Sequence, residues 1–114
     1  MNKIKIEYGH EFISNRVVDE LLLYNIWECK TLELEIINQI QELFNFNIGR
    51  NRNINTLSGG QRSVTYIITL TFIKRANNIK DLSVELTNIF ESLTENYINI
   101  LIEYLKENDI GIVT

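Results

Sequence analysis

Leu57, Ser58, Gly59, Gly60, Gln61 and Arg62 are the residues of this chain whose types and order could do chemistry. A long apolar segment follows them directly. Ser58 can cap a helix there through its side-chain oxygen. Glycine at the next two positions lets backbone N–H groups approach an anion with no Cβ in the way. Unpaired N–H groups at a helix start, together with the helix dipole, favour phosphate. Gln61 and Arg62 complete the candidate phosphate-binding set. The plainer alternative is a capped turn with no ligand, although two glycines at a helix start cost stability unless close approach requires them. No Gly-rich loop ending in Gly-Lys-Ser/Thr occurs in the sequence. The element that cradles a nucleotide's own phosphates is therefore missing, and the motif reads as half a site.

Other chemistry is sparse. The single cysteine, Cys29, allows neither an internal disulfide nor a multi-cysteine metal site. It reads as a small buried hydrophobe rather than a nucleophile. The single histidine, His10, reads as structural or solvated, so no metal site is expected. The only basic cluster is Arg50 and Arg52, followed by Arg62. The first two are solvated loop charges or, alternatively, help to hold phosphates opposite Ser58. A net charge of −4 disfavours direct nucleic-acid contact. No apolar run approaches the ~20 residues of a membrane span, and no signal-peptide pattern opens the chain, so the cytoplasm is the expected location.

The elements that must position the motif follow from periodicity. Lys3 to Tyr8 alternates polar and apolar residues, which predicts a strand. Helical spacing begins at Ser14, with Ser14 or Asn15 as N-cap and Val17, Val18, Leu21, Leu22, Tyr24 and Ile26 as its apolar face. Thr31 is the predicted cap of a second helix that buries Leu32, Leu34, Ile36, Ile37, Ile40, Leu43 and Phe44. Residues 45–55 form a polar loop. The segment from Gly60 to Arg75 is rich in β-branched residues and has strand propensity. Its length and its Ser-Gly-Gly start favour a buried helix. Asp81 to Leu86 predicts a short strand or turn. A helix starts at Thr94 and runs to about Asn108, with Ile98, Leu101, Ile102 and Leu105 inside. Ile110 to Thr114 closes as a strand. The aromatics, Trp27 among them, are assigned to the core or an interface.

Residues 57–62 resemble the signature motif of the ABC ATPases, LSGGQ, and within that family the structural-maintenance-of-chromosomes type. There the Ser and the two Gly residues grip the terminal phosphate of ATP held by a different subunit or lobe. Leu82 to Glu91 looks like a worn copy of the segment that follows the signature in the family. Glu85 falls where the family has its catalytic Glu, and Glu91 where it has the Asp of the D-loop. The plainer reading of Glu85 is a solvated acid at a strand end. Val84 stands where the family has a Mg²⁺-coordinating Asp, and a valine offers no oxygen to a hard cation. The family's terminal His has no counterpart in the sequence. The resemblance covers roughly residues 48–114.

The sequence thus predicts a helix-rich α+β fold in one domain, residues 1–114. Residues 1–47 supply a strand and helices, and residues 48–114 resemble the signature half of an ABC ATPase. The resemblance implies a module that completes an ATP site in trans with a Walker-A-bearing partner. ATP and Mg²⁺ would be bound only with that partner, and the isolated chain would not hydrolyse ATP. The alternative is a self-associating structural or regulatory module that binds no nucleotide. A homodimer is the predicted assembly of the chain by itself.

Overall fold

The Thr- and Ile-rich segment that carries strand propensity folds as the longest helix, α3 (Gly59–Ala76). Three of its threonine hydroxyls are satisfied within the helix, while the buried Ser63 Oγ has no partner among the described residues. Thr65 donates to the Gln61 carbonyl at 2.8 Å, Thr69 to the Thr65 carbonyl at 2.8 Å and Thr71 to the Ile67 carbonyl at 3.1 Å. With those groups satisfied inside the helix, every residue from Ser63 to Ile73 is buried.

The computed structural model describes residues 2–7, 14–87 and 93–113. Around α3 lie α1 (Val17–Leu23), α2 (Cys29–Phe44) and α4 (Glu95–Glu107), together with strands β1 (Asn2–Glu7), β2 (Leu82–Thr87) and β3 (Ile110–Val113). The sheet has the order β1-β2-β3 and is parallel throughout. Its register aligns Ile4 with Val84, and Val84 with Ile112. Leu82, Val84 and Ile110 are buried together with Ile67, Ile68, Ile73, Leu101 and Leu105 in one core. The alternate strand positions carry Ser83, half-buried, and Gly111, exposed. A Cβ at Gly111 would sit 3.0 Å from the Ser83 Oγ, so glycine permits the close approach of the two strands. α1 and α2 pack on α3, and α2 also touches α4. The described residues form one helix-rich α+β domain with a radius of gyration of 12.9 Å.

Helix ends in this proline-free chain are set by Asn and Asp in the left-handed conformation. Asn25 follows α1 at φ 60°, Asn78 follows α3 at φ 53° and Asp109 follows α4 at φ 56°. After α3, the Ile79 N–H bonds to the Lys74 carbonyl and the Asn78 N–H to the Arg75 carbonyl. α1 closes identically, with Ile26 to Leu21 and Asn25 to Leu22. This is the Schellman closure, which satisfies the last carbonyls of a helix.

Several local expectations are corrected. Neither Ser14 nor Asn15 caps α1. Arg16 is its N-cap without a side-chain bond, and Ser14 instead donates its N–H to Glu20. Tyr24 and Ile26 lie beyond the helix, and Leu22 is exposed. Thr31 lies inside α2, which starts two residues earlier with Glu28 as its N-cap. Leu34 faces solvent, because the buried stripe runs through Cys29, Glu33, Ile36, Ile37, Ile40 and Phe44. In α4, Leu101 and Leu105 are buried, while Ile98 and Ile102 are half-buried and Tyr104 takes the remaining inner place.

Candidate functional site at the start of α3

The Ser-Gly-Gly-Gln sequence builds a complete capping box. Ser58 is the N-cap, its Oγ accepts from the Gln61 N–H at 3.2 Å, and the Gln61 Oε1 accepts from the Ser58 N–H at 3.5 Å. The Ser58 carbonyl accepts from the Arg62 N–H at 2.8 Å. Gln61 is thereby spent on holding the cap rather than on a ligand. The Ser58 hydroxyl acts as an acceptor here, which leaves its own hydrogen to donate. Ser58 is exposed, and Gly59, Gly60, Gln61 and Arg62 are half-buried. The N–H groups of Gly59 and Gly60 have no acceptor among the described residues.

Orientation follows from the far end of the helix. The Arg75 Nη2 donates to the Asn108 Oδ1 at 2.8 Å, so α3 and α4 end side by side. Each helix then turns within five residues or fewer into a strand, and β2 and β3 start in register, with Leu82 against Ile110. A helix of this length spans ~27 Å. The start of α3 therefore lies a helix length away from the Arg75–Asn108 contact.

The loop leading into Ser58 is braced from several sides. The Asn51 N–H donates to the Glu33 Oε2 at 2.9 Å, and the Asn51 carbonyl accepts from the Arg16 Nε at 3.1 Å. The Ile54 N–H donates to the Asn15 carbonyl at 2.9 Å, just before a 3₁₀ turn at Ile54–Thr56. The structure separates the two loop arginines. Arg52 is committed within the loop, donating to the Thr56 hydroxyl at 2.5 Å and, at 3.4 Å, to the Ile48 and Thr56 carbonyls. Arg50 is exposed, with its Nε 3.8 Å from the Glu33 carboxylate.

Beside Arg62, one turn along α3, stands Tyr66. Burial pushes its hydroxyl up to about 12, and the charges of Tyr24 and Glu20 add to the shift. Burial, followed by the Glu20 charge, also raises Tyr24. Glu20 is fully buried, its Oε1 takes the Ser14 N–H at 2.9 Å, and its Oε2 has no hydrogen-bond partner among the described residues. The buried acids Glu20 and Glu33 are the polar residues that reading the sequence for motifs misses. Each sits at helical spacing within an apolar stripe, which is the signal that could have found them.

The remaining assignments separate clearly. Glu85 lies in β2, aligned with Lys5 and Val113. Glu91 and His10 lie outside the described residues. Cys29 is buried at the start of α2. Val84 is a fully buried core residue in the central strand, so nothing at that position fits Mg²⁺. Among the described residues no cluster of His, Cys, Asp or Glu could hold a metal ion, and no helix is long and apolar enough to cross a membrane. No family model, curated protein or solved structure matches the chain.

Proposed function

We propose that the chain is a phosphate-gripping module that completes a nucleotide site in trans, with a partner that holds the nucleotide. The supporting observation is the start of α3: an exposed Ser58 locked by a capping box, with the Gly59 and Gly60 N–H groups at the helix's positive end. The Ser58 hydroxyl and the two N–H groups donate to a terminal phosphate, and the helix dipole stabilises its charge. Nothing at Val84 ligates a metal and no Gly-Lys-Ser/Thr loop cradles the rest of the nucleotide, so the isolated chain binds weakly and does not turn ATP over. Glu85 is the one side chain that the ABC resemblance assigns to hydrolysis, and it acts only if a partner supplies the metal and the cradle.

An amide NMR titration with inorganic phosphate tests the reading. Shifts confined to Gly59, Gly60 and their neighbours, abolished by Gly60→Asp, are expected. A titration in which these amides never move, or in which Gly60→Asp changes nothing, overturns it.

A second reading, a self-associating module without nucleotide, has its own observation. Leu22, Leu23, Trp27 and Leu34 are exposed on α1, α2 and their connection, Trp27 at 77%. Light scattering after size exclusion decides it: a 13.4 kDa species at micromolar concentration counts against association.

A further inference from the structure

We infer that Glu33 is a latch that positions the segment 45–57 and, through it, the approach to Ser58; the second half of this inference rests on the phosphate reading above. Glu33 lies on the buried stripe of α2 and is only 3% exposed. A carboxylate leaves water at a large cost unless it is compensated. Among the described residues its compensation comes from the loop. Oε2 takes the Asn51 N–H at 2.9 Å, and Oε1 faces the Arg50 guanidinium at 3.8 Å.

Asn51 has φ 55°, in the left-handed region. Both of its backbone polar groups are tied, the N–H to Glu33 on α2 and the carbonyl to Arg16 beside α1. From this pinned residue the chain runs through Arg52 and the 3₁₀ turn to Ser58. Among the described residues, Arg52 bonds only to groups of the loop itself. It stiffens the loop without anchoring it to a helix. Among the described residues, polar anchorage to groups outside the loop therefore falls to Glu33, Arg16 and Asn15, beside the burial of Ile48, Ile54 and Leu57 in the core.

Hydrogen exchange on the full chain tests the latch. Glu33→Ala is expected to speed exchange across 48–57 roughly tenfold or more, with α3 and α4 still protected. Glu33→Gln is expected to recover much of the protection, since the amide oxygen still accepts from Asn51. Unchanged exchange in Glu33→Ala overturns the latch, and so does a glutamine variant no better than alanine. If Glu33→Ala fails to fold, Arg16→Ala loosens the same residue from the exposed side. Faster exchange across 48–57 then supports the latch, and no change overturns it.

Titration of the same variants with inorganic phosphate separates the two ideas. A wild type that binds no phosphate removes the phosphate reading and leaves the exchange result standing. A wild type that binds, with Glu33→Ala weaker and Glu33→Gln restored, supports both. Phosphate affinity that is identical in all three overturns the coupling of the latch to Ser58.

Discussion

The Tyr97 hydroxyl donates to the Phe44 carbonyl at 2.8 Å, tying the first turn of α4 to the last turn of α2. The two rings also meet edge to face, 5.1 Å between centroids, and Phe46 stacks on Tyr97 from the loop. The carbonyl at the end of a helix has no intrahelical donor, so an aromatic from another element supplies one. Tyr97→Phe keeps the ring contacts and removes only that bond. A loss of about 1 kcal/mol is expected, read as a lower urea midpoint at unchanged slope. An unchanged midpoint would mean that water serves the carbonyl equally well.

Ser58 has a structural role and a proposed binding role, and two substitutions separate them. Ser58→Ala loses the cap, with an expected cost of about 1 kcal/mol. Ser58→Asp keeps a capping oxygen and suits the helix dipole, so it should melt near wild type. The same aspartate repels phosphate. Wild-type stability with lost phosphate shifts is the expected pair of results, and undiminished phosphate binding by Ser58→Asp counts against the site.

Val84 gives a test of the metal position. Val84→Asp recreates the acid that the resemblance would place there, but at a fully buried point of the central strand. The expected result is a loss of about 3 kcal/mol or more, with no Mg²⁺-dependent gain in melting temperature. Stabilisation by Mg²⁺ would overturn this.

Alkaline pH should destabilise the fold through Tyr66. An unfolded tyrosine ionises near 10, whereas in the fold Tyr66 waits until about 12. The folded value is the higher one, so the stabilisation is complete below pH 10 and is lost as the pH rises from 10 through 12. Melting temperatures should fall across that window, and the fall should flatten in Tyr66→Phe. An equal fall in that variant assigns the effect to other groups.

Asn78 closes α3 in the left-handed conformation that glycine adopts without cost. Asn78→Gly is expected to match or exceed wild-type stability, and Asn78→Val to lose about 1 kcal/mol or more, both by thermal melting.

Much of this architecture was legible because strong signals coincide. Ser58 and Thr94 are hydroxyl caps placed before apolar runs, and both helices start where those residues indicate. The closing strand at Ile110 follows from a short apolar run, whereas Asp81 to Leu86 read as a short strand or turn and is a strand from Leu82. What misled was counting apolar residues without their phase. Leu34 is apolar but lies one residue off the stripe of Cys29, Ile36, Ile37 and Ile40, while Glu33 lies on it. A charged residue in that phase either breaks the helix or finds a buried partner, and the partner, the Asn51 backbone, is a tertiary fact. The starts of α1 and α2 were illegible for a simpler reason: Arg16 and Glu28 cap with no side-chain bond, so no residue type marks them. The helix ends were readable in principle, since Asn and Asp after an apolar run serve in place of glycine.

The complete enclosure of α3 has a consequence for how such a chain can change over time. A helix with one wet side tolerates an inserted residue, because the misplaced side chains can rotate outward. Here an insertion between Ser63 and Ile73 would turn the positions on one side of it by ~100° relative to the other, with no outward direction to take. Change in length must be absorbed at the two ends, in the loop before Ser58 or the turn after Ala76. The rod between those two ends is therefore held to a fixed number of residues.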